Sequence, residues 1–316
     1  MFTTHLARAI AIPVTMTLVL WSGGAARADA GPGARTVVCR AAPADCAGQL
    51  ERELGSFRDR LGCDARAPFA AVYTWVQTTL RRTARERPGY FAEPSWAVRD
   101  FNAAFAERYF GAVRAGRDGR PVPEAWRIAF AAGRGGGTNA GQDVLLGSNA
   151  HIQRDAAYAL AETGLVRPGG TTRKADYDRV QSVLDRAFGP AVREVARRYD
   201  PLAGAAEERW NPVARFTAHE LFVLWRQNAW YYGRSLAAAR DAAEFREVSR
   251  TVEANATAWA TLLAAVQVPG YGLVRDAYCR GGRGTAVPAP TTGWTPRPLP
   301  ALLALGRLPV PPHRGG

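Results

Sequence analysis

The chain has 316 residues, 47% of them hydrophobic, which is enough to bury a core, and a formal net charge of +13. The basic excess is arginine, with Lys174 the one lysine, and it is scattered, with no arginine run longer than Arg81-Arg82 or Arg197-Arg198. A phosphate-binding stripe would cluster such charges, so the composition argues against specific nucleic-acid binding and leaves a general attraction to an anionic cell envelope.

Residues 1–30 read as a secretory leader. Met1 to Arg8 is short and basic, Ala9 to Trp21 is apolar, and Ala28-Asp29-Ala30 is a small-x-small cleavage site. The apolar run is about thirteen residues, too short for the roughly 20 that span a bilayer, and no later stretch is longer and as apolar. The expectation is a secreted protein cut after Ala30, with no transmembrane segment in the mature chain. Residues 31–64 form a cysteine-containing segment with a short amphipathic helix from Gln49 to Leu61. The helical domain follows at 65–280. Pro68 opens a helix with Phe69, Val72, Tyr73 and Val76 at helical spacing, and Pro94 opens another with Trp96, Phe101, Phe105, Tyr109 and Phe110. Val122 to Ala132 holds a short helix around Trp126, followed by a flexible glycine-rich link at Gly133 to Gly137.

Asn139, three residues before Gln142, opens a helix that runs to about Glu162 and stops at Gly164. Residues 174–199 predict a helix interrupted at Gly189-Pro190. Thr217 with Glu220, and Asp241 with Glu244, are helix-start pairs of the same type. They predict helices to about Arg240 and Val266. No period-two run exceeds four residues, so strands are not expected. Residues 281–316 form an irregular Pro/Gly-rich tail. The predicted fold class is all-α: a single helical domain of roughly seven or eight helices with disulfides.

Four cysteines follow the leader. In an oxidising compartment an even count predicts two disulfides, and of the three connectivities the favoured one is Cys39–Cys46, a tight local loop, with Cys63–Cys279, tying the start of the helical domain to its end. The spacings fit no zinc pattern.

Several segments occur in a recognisable order: Phe69 to Thr79 (FAAVYTWVQTT), FAEPSW from Phe91 and FNAAFAERYF from Phe101, PEAW at Pro123 to Trp126, LGSNAHIQRD at Leu146 to Asp155, DYDRVQSVL at Asp176 to Leu184, and WRQNAW at Trp225 to Trp230. Together they resemble the bacterial domain of unknown function 5995 over about residues 65–270. The resemblance implies a shared fold and a shared site position, and no activity. The chain departs from the family's wording at Gln153-Arg154-Asp155-Ala156-Ala157, where Asn-x-Asp-Leu-Pro is expected, and at Ser148, where Met is expected.

Histidine is scarce: His5 lies in the leader and His313 in the tail, leaving His151 and His219. That excludes a three-zinc cluster of the exported phospholipase or nuclease kind. There is no Gly-x-Ser-x-Gly, and the glycines at 133–137 precede no Lys-Ser or Lys-Thr. On a helical wheel, Asn149 shares the core face of Leu145, Ile152, Ala156 and Leu160, as a structural amide or a ligand-orienting group. His151, Asp155, Tyr158 and Glu162 fall on another face. His151 and Asp155, four apart, can hydrogen-bond and serve as a general base, or hold a single divalent metal with a further carboxylate such as Asp178. The bland alternative is a polar face or a His–Asp bridge to another helix. The stripe Phe222, Trp225, Trp230, Tyr231, Tyr232 is core or a ligand pocket, and Arg226 within it bridges a carboxylate or anchors an anion.

Two functions from different classes follow. One is an exported enzyme using His151, Asp155 and Asn149, with or without a metal, for acid–base or hydrolytic chemistry. The other is a non-catalytic module holding an apolar or anionic ligand between Trp225, Arg226 and Trp230. In either, the partner is a small-molecule or envelope-associated ligand.

Overall fold

The structure is a computed structural model that describes residues 37, 39–206 and 212–281; the leader and the tail from residue 282 onward lie outside the described residues. Nine helices and no strand occur among the described residues. Helix α1 (Pro43–Leu61) starts six residues before the predicted Gln49, because Pro43 supplies the fixed φ of a first turn. Helix α2 (Ala67–Glu86) has Pro68 in its first turn, as predicted. Helix α3 (95–117) begins with a π-helical turn, Ser95–Asp100, and continues as Phe101–Arg117. Helix α4 (Glu124–Arg134) surrounds Trp126.

Helix α5 (140–163) is the axis of the molecule. Asn139 caps it, its side chain accepting from the Gln142 amide at 2.8 Å. The Gln142 side chain does not reach back to complete the box. It donates instead to the Leu263 and Val266 carbonyls at the end of a later helix, whose last carbonyls would otherwise lack donors. Within α5, Ala150–Asp155 is π-helical, with the Ala156 amide reaching back five residues to the His151 carbonyl.

Helix α6 (Lys174–Arg198) is continuous through Gly189-Pro190, contrary to the predicted interruption. Val183, Ala187, Ala191 and Val195 make one buried stripe, and packing against α2 holds the helix together across the missing proline donor. A 3₁₀ turn, Pro201–Ala206, follows. Helix α7 (Pro212–Ala237) starts before Thr217, so Thr217 and Glu220 lie inside a helix and not at its start. Helix α8 (Ala242–Ala264) is capped by Asp241, which accepts from the Ala243 and Glu244 amides. Helix α9 (Tyr271–Gly281), which the sequence reading did not predict, is tied back to the core by the Arg275–Asp143 ion pair at 2.5 Å.

Helix α1 packs on α2 and α2 on α6, while α5 is surrounded by α2, α3, α4, α7 and α8. Two glycines permit the closest approaches. A Cβ at Gly147 would fall 2.6 Å from the Phe69 ring, and one at Gly233 would fall 2.8 Å from Leu160. The cysteines pair as favoured: Cys39 with Cys46 (Cα–Cα 5.5 Å) and Cys63 with Cys279 (Cα–Cα 5.9 Å). The second bridge joins the α1–α2 connection to α9. No described helix is long and apolar enough to cross a membrane.

Candidate functional site

The wheel placed His151 and Asp155 away from the core. They are instead its centre, with His151 3% and Asp155 0% exposed. Two causes combine. Helix α5 has neighbours on all sides, so it has no solvent face at this level, and the π turn changes the angle between successive side chains over these six residues.

His151 Nδ1 lies 3.1 Å from Asp155 Oδ2. The same oxygen accepts from Trp126 Nε1 at 2.9 Å, and Oδ1 accepts from the Arg154 guanidinium at 2.7 Å. Burial works to raise the Asp155 carboxyl, but the hydrogen bond from His151 and the charge of Arg154 outweigh it and hold the carboxyl below its ordinary value. Burial pushes the His151 imidazole down, against the pull of Asp155. The pair is therefore a neutral imidazole donating from Nδ1 to a carboxylate, and Nε2 is an acceptor. That Nε2 is buried and has no hydrogen-bond partner among the described residues.

Aromatic rings enclose it. Phe105 stacks face to face on the imidazole at 3.5 Å between centroids and 8° between planes. Tyr73 stands at 4.8 Å, with Phe69, Tyr109 and Trp126 at about 6 Å. The buried Tyr73 hydroxyl has the Gln77 side chain one turn on as its polar neighbour, and that side chain is itself bonded reciprocally to Asn102. Burial pushes that hydroxyl far up, so it is a donor at any ordinary pH. Around the box, Arg154 also bonds Glu253, and Tyr158 donates to Glu253 at 3.0 Å. The exposed Glu162 pairs with Arg108.

Asn149 does not join the pair. It is fully buried and donates to the Ala256 carbonyl at 2.8 Å, while accepting from Gln153 at 2.7 Å. Gln153 in turn accepts from Asn255 at 2.7 Å. These amides link α5 to α8, which is the structural arrangement. Asp178 is exposed on α6 and bonded to Lys174 at 2.6 Å, and among the described residues no group of three or more His, Cys, Asp or Glu is placed to hold a metal ion. The structure thus does not bring His151, Asp155 and Asp178 together as a ligand set.

Of the three candidate ligand-binding residues, Trp230 and Arg226 both pack on Tyr177, and Trp225 packs elsewhere. Trp225 is fully buried against Trp259 at 5.5 Å. Trp230 packs on Tyr177 at 5.2 Å. Arg226, also buried, lies over the Tyr177 ring at 4.2 Å and donates to the Tyr177 carbonyl, while the Tyr177 hydroxyl returns a bond to the Arg226 carbonyl at 3.0 Å. Nothing local in the sequence marks Trp126 and Arg154 as partners of Asp155, or Phe105 and Tyr73 as walls. The only signal that could have found Trp126, Phe105 and Tyr73 is their position in the segments that carry the family resemblance.

An all-α, disulfide-closed domain built around a central helix with an enclosed His–Asp pair is the class these features define. Residues 47–266 match the family of unknown function DUF5995, and the chain belongs to that family. No curated protein and no solved structure matches the chain.

Proposed function

We propose that the protein is exported and that His151 with Asp155 is its acid–base centre, acting through His151 Nε2 on a small, largely apolar ligand. The observation that carries this reading is an imidazole with Nδ1 fixed by a carboxylate and Nε2 buried without a partner. Leaving such a group unbonded costs about 1–3 kcal/mol, and a ligand atom that bonds it offsets that cost. Asp155 fixes the tautomer, and Trp126 and Arg154 fix Asp155. Tyr73, whose hydroxyl stays protonated among the walls, supplies a donor for an oxygen of the ligand. The half-buried Phe105 is the side chain whose displacement uncovers the imidazole face. The two disulfides support export, because such bonds persist in oxidising compartments.

The second reading is favoured by the 3% exposure of His151: the pair is a polar knot joining α4 and α5. Hydrolysis of small aryl esters, measured beside thermal melts, separates the two. The catalytic reading expects His151→Gln to lower turnover about 100-fold or more with His219→Gln unchanged. The knot reading expects no turnover above background in any variant, with His151→Ala costing about 1–3 kcal/mol of stability.

A further inference from the structure

Two guanidinium groups share one tyrosine ring on the surface between α2 and α6. The Arg87 guanidinium carbon lies 4.5 Å from the Tyr90 centroid and that of Arg186 lies 5.7 Å from it. Tyr90 is held in place by an edge contact with the buried Phe91 at 5.0 Å, and its hydroxyl bonds the Arg179 carbonyl at 3.1 Å and Ser182. Arg186 is fixed as well, donating to Thr83 Oγ1 at 3.0 Å and Ser182 Oγ at 3.2 Å.

Those acceptors are neutral hydroxyls. Among the described residues neither Arg87 nor Arg186 has a carboxylate within ion-pair distance. Their neighbours are treated differently: Arg167 and Arg173 pair with Glu93, Arg179 with Asp176, and Arg85 with Asp45. Glu86, exposed beside Arg87 in the chain, pairs with neither. Two like charges held over one ring repel, and the ring's quadrupole offsets that only in part. A guanidinium fork already fixed in orientation loses little freedom on binding a second group, and its parallel N–H donors match a tetrahedral oxyanion.

We propose that Arg87 and Arg186, seated on Tyr90, form a binding site for a phosphoryl group, carried by free phosphate or by a lipid headgroup. The anion supplies the counter-charge that no described side chain provides to these two groups. The site is separate from the His151 box and stands whether or not His151 is catalytic.

The test uses the full exported chain with two probes. One is inorganic phosphate, followed by chemical shifts of the arginine Nε–H groups. The other is co-sedimentation with phosphatidylcholine vesicles made with and without phosphatidylglycerol. The variant is Arg87→Gln with Arg186→Gln. The control is Arg117→Gln with Arg120→Gln, which removes the same formal charge around Asp118. The proposal expects binding in at least one arm, weakened about tenfold or more in the cluster variant and less than about twofold in the control. A response to phosphate identifies the free anion, and a response to phosphatidylglycerol vesicles alone identifies the headgroup. Arg87→Gln by itself, at an exposed position, serves if the double variant does not fold. Absence of binding in both arms, or equal loss in cluster variant and control, overturns the proposal.

Discussion

A histidine that cannot reach water carries a proton only at a cost, and this gives His151 a pH signature. Its folded pKa lies below the free value of 6.5. The stability it contributes is thus complete above pH 6.5 and is lost as pH falls from there through the folded value, because the unfolded chain takes up the proton first. Asp155, also held low, loses its contribution in a separate window that begins below its free value of 3.8. Asp143 works the other way. Burial raises it to about 6 despite Arg275, so its contribution is present below its free value of 3.8 and is lost as pH rises through about 6. Melting temperature measured from pH 8 to pH 5 should therefore fall more steeply in the native protein than in His151→Gln, whose amide does not titrate. Parallel curves for the two proteins would show that His151 is not the buried titrating group described here.

At the scale of elements, Gly147 decides how near α5 comes to α2, and hence how tightly Phe69 and Tyr73 close over His151. A Cβ at Gly147 would lie 2.6 to 2.9 Å from three atoms of the buried Phe69 side chain, which has no open space to move into. Gly147→Ala should therefore cost about 1–3 kcal/mol through overpacking, despite alanine's better helix propensity. Gly111→Ala on α3 meets only the end of Arg114 at 3.8 Å and should be neutral or slightly stabilising. Chemical denaturation of both variants checks the contrast, and an equal effect at the two sites would mean that α5 can shift without cost.

For the whole molecule, Cys63–Cys279 spans a sequence separation of 216 and Cys39–Cys46 one of 7. In the chain-entropy account the long closure is worth about 5 kcal/mol and the short one about half of that. Replacing Cys63 and Cys279 by serine should lower the denaturation midpoint more than the same change at Cys39 and Cys46. It should also loosen α9, whose remaining polar ties include Arg275 with Asp143 and the Thr138 carbonyl, Tyr271 with Asp200, Gly272 with the Gly136 carbonyl and Tyr278 with the Arg197 carbonyl. Non-reducing peptide maps with denaturant titrations check this. A larger loss from the short bridge would mean that the N-terminal loop, and not the closure of the domain, limits stability.

Local signals determined the helical class, most helix positions and the caps at Asn139 and Asp241, because periodicity, proline and capping side chains act within one or two turns. The cysteine pairing was also legible, since Cys39 and Cys46 make a tight local loop and Cys63 and Cys279 lie at the two ends of the predicted helical domain. His151 and Asp155 were legible as a pair, because residues four apart meet on any helix. Their burial was not. A wheel assumes one core face and a constant angle per residue, whereas α5 is surrounded by five helices and its 150–155 turn is π-helical. Packing carried α6 through Pro190 and placed Thr217 inside α7, because tertiary contacts outweigh a single local preference. Only the tertiary structure could set Trp126, Arg154, Tyr73 and Phe105 around the dyad, direct Asn149 to α8, and leave Arg87 and Arg186 over Tyr90 without a carboxylate among the described residues. Those relations join residues up to about a hundred positions apart, and no local rule fixes such distances.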